Sequence, residues 1–136
     1  MQPASLIELV VVGAHLRGQP LNAQLTDRGA AFVRSTRTRA TYRLYALATE
    51  PPKPGLVRRP EDDDAAGAIE VEIWSLGLAE FGSFVSEVPP PLTIGRVELE
   101  DGSDVAGFLC EEVATIGAPD ITPFGGWLAY RSQGAG

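Results

Sequence analysis

The segment SLIELVVVGA, starting at Ser5, is the feature that most limits what this chain can fold into. It is rich in Val and Ile and nearly continuous in apolar character, which is how a strand covered on both faces reads. Its apolar part, Leu9 to Ala14, is far too short to cross a bilayer and carries no basic leader. It therefore reads as a central strand of a sheet, with other elements packed above and below it.

The rest of the chain supplies those elements. LNAQLTDRG predicts two short turns of helix stopped at Gly29, and AAFVRS and TYRLYALA have strand composition, with the basic TRTRA between them as a turn. EPPKPGLVRRPEDDDAAG holds four prolines and a run of acids and reads as a long irregular surface loop. AIEVEIWSL alternates Ile69, Val71 and Ile73 against Glu70, Glu72 and Trp74, a strand with one buried face. In LAEFGSFVSEV, Leu78, Phe81, Phe84, Val85 and Val88 share a stripe at helical spacing, and the prolines at 89 to 91 end that helix. IGRVELEDGSDVAGFLCEE reads as a β-hairpin turning at Asp101 and Gly102, and the tail predicts a short helix from about Gly126 after a Phe-Gly-Gly turn. The sum is one α+β domain over residues 1–136, core about 5–131, with mostly antiparallel sheet and two or three short helices.

Composition narrows the partners. Eighteen acidic residues against ten arginines and one lysine, Lys53, give a net charge of −7, which argues against a phosphate backbone and leaves nucleic acid a poor partner. With 44% hydrophobic and 21% charged residues the chain should fold. A single cysteine, Cys110, makes no internal bridge, and neither a signal pattern nor a membrane span is visible, so a cytoplasmic protein with no membrane association is expected.

Few residues carry chemistry. One His and one Cys far apart do not make a metal site, and Glu61 to Asp64 reads as a solvated acidic loop, so neither metal nor cofactor is expected. Cys110 alternates with Phe108 and reads as a small packed residue rather than a nucleophile paired with His15. GAHLRG follows a strand but lacks a nucleotide-binding glycine pattern; its consecutive amides suit an anion nest for a small carboxylate. His15 is either a site residue in that loop or a histidine that only bonds its neighbours. The arginines at 34, 37, 39 and 43 could clamp a carboxylate or form an exposed hairpin face, and Trp127 is the better of two tryptophans for a pocket wall.

VVGAHLRGQPLN, STRTRATYRLYAL, PPKPGLVR, IEVEIWSL, GRVELEDGSDVAGFLCE and DITPFGGWLAY, in that order over about Leu9 to Arg131, resemble the C-terminal domain of allophanate hydrolases. The resemblance implies a gamma-glutamyl cyclotransferase-like fold, a small twisted and partly closed mixed barrel with helices at its side. In that fold a YGSN or YGTL loop holds a substrate carboxyl group on its amides; Val12-Gly13-Ala14-His15 stands there, matching at the glycine alone. Pro54-Gly55-Leu56 resembles a Pro-Ala-Leu loop at the same pocket. The cyclotransferase base lies in an Asp-x-x-Glu segment, where this chain has Val88 to Leu92 and no acid. The amidase machinery of allophanate hydrolases, a Ser-Ser-Lys arrangement, has no counterpart in this sequence.

The implied function is therefore a pocket for a small planar carboxylate or carbamate, decarboxylating N-carboxyurea to urea and carbon dioxide. The implied site places His15 as proton donor. Gly13, Ala14, Leu16, Arg17 and Arg39 orient the carboxylate, while Tyr45, Pro54, Gly55 and Trp127 line the pocket. The alternative is an assembly module for an amidase partner without chemistry, a third reading is a gamma-glutamyl cyclotransferase with a relocated base, and a homodimer is a further expectation.

Overall fold

A computed structural model describes residues 5–134. Its core is a five-stranded mixed sheet in the order β2-β5-β1-β7-β6, formed by β1 (Leu6–Val11), β2 (Ala31–Arg37), β5 (Glu70–Gly77), β6 (Leu92–Glu98) and β7 (Asp104–Cys110). β1 is central, as its apolar run predicts: it pairs antiparallel with β5 and parallel with β7, and Leu9, Val10 and Val11 are fully buried. Each such side chain withdrawn from water stabilises the fold by about 1.5–3 kcal/mol. The remaining pairings in the sheet are antiparallel, and the β6–β7 hairpin turns at Asp101 and Gly102 as expected.

The sheet is not a closed barrel. β2 and β6 are its two edges, and they meet at one end alone, where Thr38 bridges to Leu99, the Arg39 amide donates to the Glu98 carbonyl and the Glu100 amide donates to the Arg37 carbonyl. Closure stops there because β2 stays on the outside, with Ala31 to Ser35 exposed along its length.

A second, two-stranded sheet corrects the reading of residues 50–67 as one loop. β4 (Lys53–Arg58) pairs antiparallel with β3 (Tyr42–Leu47). Proline composition hid this strand. Pro54 is tolerated because β4 pairs on one side only, so its missing N–H leaves no gap in a ladder. The irregular part begins after Arg58, and Asp63 anchors it by accepting from Arg43 and Arg59.

Three helices complete the domain: α1 (Ala23–Thr26), α2 (Leu78–Ser86) and α3 (Trp127–Gly134). α1 is one turn rather than two, and it buries Leu25. α2 follows β5 directly, but its apolar stripe is only partly used: Phe84 is buried and Leu78 faces solvent. β5 differs from its one-sided pattern too. Glu72 and Trp74 are as buried as Val71 and Ile73, because the Glu72 carboxylate is satisfied internally.

Candidate functional site

Immediately after β1 the chain turns, with the Leu16 amide donating to the Gly13 carbonyl at 3.0 Å. Gly13 has a steric reason: a Cβ there would overlap the Pro54 ring. That close approach docks the start of β4 against the turn. It brings Lys53, at the first position of β4, to the cavity that contains His15.

His15 is buried. Its ring stacks on Phe108 with centroids 4.9 Å apart and meets the edge of Phe84 at 5.2 Å. Nε2 lies 2.8 Å from Gln24 Oε1, and Asn22 Nδ2 donates to the His15 carbonyl at 2.7 Å, so α1 and the residue before it fix both ring and backbone. Burial lowers the imidazole pKa, the Gln24 bond opposes that in part, and the positive charge of Lys53 lowers it further. The ring is therefore neutral near pH 7. With Gln24 Oε1 accepting the Nε2 proton, Nδ1 is left as an acceptor.

His15, Gln24, Lys53, Phe84 and Phe108 line a cavity of about 190 Å³, with Glu50 and Glu87 also on its wall. A recess of about 10 Å³, bordered by Gly13, Ala14, His15, Lys53 and Pro54, adjoins it through shared walls. Among the described residues the Lys53 side chain has neither an ion pair nor a hydrogen bond, although the residue is 7% exposed. The Ala14 and His15 amides likewise find no protein acceptor among the described residues. An unpaired cation lining the cavity and two unused N–H donors beside an aromatic wall suit a small carboxylate.

The other expected site residues divide among different places. Arg17 and Leu16 line a separate groove of about 360 Å³ with Trp127. There Arg17 donates from both its amide and Nε to Glu72, and its guanidinium lies 3.8 Å over the Phe32 ring. The Leu16 amide, used in the turn, is not free for an anion. Arg39 is in a third depression, paired with Glu61 and Glu98. Tyr45 sits on β3 opposite Gly55 and lines none of these cavities. Gly55 is small for packing, since a Cβ would lie 2.6 Å from Cys110 Sγ. Cys110 itself is half-buried, and burial pushes its thiol up to about 11, so it stays protonated. His15, Gly13, Ala14 and Pro54 thus come together; Arg17, Leu16 and Trp127 form a second group.

Sequence reasoning missed Lys53, Gln24, Phe84 and Phe108. Lys53 had a signal in being the only lysine among eleven basic residues. The two phenylalanines read as ordinary core residues.

The sequence pattern of the allophanate hydrolase C-terminal domain matches residues 7–132. This chain belongs to that family. It is 46% identical over 132 residues to urea amidolyase of Saccharomyces cerevisiae, covering 94% of this chain and 7% of that protein. Kluyveromyces lactis allophanate hydrolase superposes with a TM-score of 0.88 at 43% identity, over 95% of this chain and 21% of that one. A uropathogenic E. coli-specific protein superposes at 0.85 with 38% identity, over 94% of this chain and 97% of the solved chain. A gamma-glutamyl cyclotransferase superposes at 0.57 with 11% identity, which is a likeness of fold alone. The family domain is thus a small part of the curated relative and nearly the whole of the solved E. coli chain.

Proposed function

We propose that this chain binds a small planar carboxylate in the His15–Lys53 cavity and assists its decarboxylation, as a step of urea breakdown by way of allophanate. The observation that carries this reading is the pairing of an uncharged, oriented histidine with a lysine that lines the same cavity and lacks a protein partner among the described residues. A structural lysine would be expected to find a counter-charge, whereas this one faces a cavity of ligand size.

Atom balance narrows the substrate. N-carboxyurea is allophanate itself, so hydrolytic loss of ammonia from it leaves a nitrogen bearing two carboxylates rather than a urea. Decarboxylation of that dianion breaks one C–N bond, leaves the electron pair on nitrogen and releases carbon dioxide, giving carbamate once the nitrogen gains a proton. Lys53 and the free loop amides suit the dianion, and Phe84 and Phe108 suit the neutral carbon dioxide that leaves. Malonate, with carbon in place of nitrogen, has the same two carboxylates and cannot lose ammonia.

Calorimetry with malonate is expected to show one site per chain, weakened at least tenfold in Lys53→Met, as loss of a charge-assisted hydrogen bond of about 1.5–3 kcal/mol requires. Coupled to an amidase that makes the dianion from allophanate, the chain is expected to accelerate carbon dioxide release. No malonate binding together with no acceleration sinks the reading.

An assembly role has one observation in its favour. The β2 edge is exposed and carries Phe32 and Val33, so it offers unpaired backbone and apolar surface to a partner such as an amidase. Co-purification with that amidase that survives Lys53→Met and is lost in Phe32→Asp would favour it.

A further inference from the structure

The cavity poses a question that decarboxylation alone does not answer, namely which group supplies the proton. Its titratable groups are His15, Lys53, Glu50 and Glu87. Carboxylates have no proton to give, and Glu87 is held by Arg28 Nη2 at 2.9 Å. His15 keeps its one ring proton on Nε2, where Gln24 Oε1 accepts it, and its ring is clamped between Phe84 and Phe108. A second proton on Nδ1 would put an imidazolium beside the Lys53 ammonium in a buried place. Lys53 has protons, has no acceptor among the described residues, and is held in position by the packing of Pro54 on Gly13.

We propose that Lys53 Nζ delivers the proton to the departing nitrogen, while His15 Nδ1 accepts the hydrogen bond of the N–H that nitrogen already carries. This rests on the decarboxylation reading and assigns its roles. As the C–N bond breaks, its electron pair stays on nitrogen, a proton passes from Lys53 Nζ to that nitrogen, and neutral carbon dioxide leaves. The lysine is left as an amine, to be recharged from water. His15 is a catalytic residue through its contact with the substrate N–H, but not the acid, and Gln24 is a positioning residue acting through His15.

The test separates charge from proton delivery. Lys53→Arg keeps a cation but does not release a proton. It is expected to bind malonate within about threefold of the native chain and to lose at least 100-fold in carbon dioxide release, the usual scale of a general acid. His15→Asn, whose Oδ1 replaces the acceptor near Nδ1, is expected to lose about tenfold, less than a lost acid would cost. Because Lys53 is the only lysine, acylation by an amine reagent, read by mass spectrometry on the peptide that contains it and so apart from the N-terminal amine, reports it directly, and saturating malonate is expected to slow its modification at least fivefold.

Release by Lys53→Arg within fivefold of the native rate overturns the proposal. Equal losses of malonate affinity and turnover make Lys53 an anchor and also overturn it, as does modification that malonate leaves unslowed. A native chain without any release sinks the decarboxylation reading as well, so the two failures are distinguishable.

Discussion

Two cavities of this domain are built from similar residue types and differ in how their charges are satisfied. In the groove of Arg17 and Trp127, Glu72 accepts from the Arg17 amide, from Arg17 Nε and from Trp74 Nε1, and Arg37 pairs with Glu100. In the cavity of His15 and Lys53, the cation and two backbone amides have no protein partner among the described residues. In the larger cavity these pairs fasten β2, β5 and the turn after β1, while Glu70, also on its wall, is exposed and has no ion pair among the described residues. The smaller one holds donors that have no protein acceptor among the described residues.

That contrast can be broken in order of expected effect. Trp127→Ala empties a buried indole site and is expected to cost about 3–5 kcal/mol in denaturant unfolding while malonate affinity stays within twofold. A large affinity loss in the folded protein would show that the groove, not the cavity, binds. Glu72→Ala removes the acceptor of three donors and is expected to cost about 2–4 kcal/mol, again without weakening malonate.

The third test is a pH dependence. Because the folded pKa of His15 is lowered, the unfolded chain takes up its proton first, near 6.5. The stability contributed by keeping His15 neutral is therefore fully present above about pH 6.5 and is lost as pH falls through the lower folded value. Subtracting the unfolding curve of His15→Gln should leave a difference that is flat above about pH 7 and falls below about 6.5. A flat difference down to pH 5 would mean that the ring titrates as if exposed. Smallest of all, Arg39→Ala removes exposed, solvent-screened pairs with Glu61 and Glu98; it is expected to leave the unfolding midpoint and malonate affinity unchanged within error.

Much of the fold was legible in the chain. β1 and the β6–β7 hairpin declare themselves by unbroken apolar character and by alternation about Asp-Gly, both local signals. β4 was not legible, because its prolines mimic loop composition and its strand state depends on having β3 on one side and nothing to pair on the other. How far the sheet closes was not legible: whether β2 meets β6 is decided by long-range pairing at Thr38 and Leu99, which no local pattern encodes.

The site divides in the same way. The sequence by itself settled that the chain has one histidine and one lysine, that His15 follows a buried strand in a glycine-flanked turn, and that net acidity disfavours polyanions. Only the tertiary structure decided that Gly13 receives Pro54, that this contact carries Lys53 to the cavity of His15, and that Arg17 is taken by Glu72. The reason is physical: chemistry of single residues is written locally, but a charge works as a site or as a fastener according to its partners, and those come from distant parts of the chain.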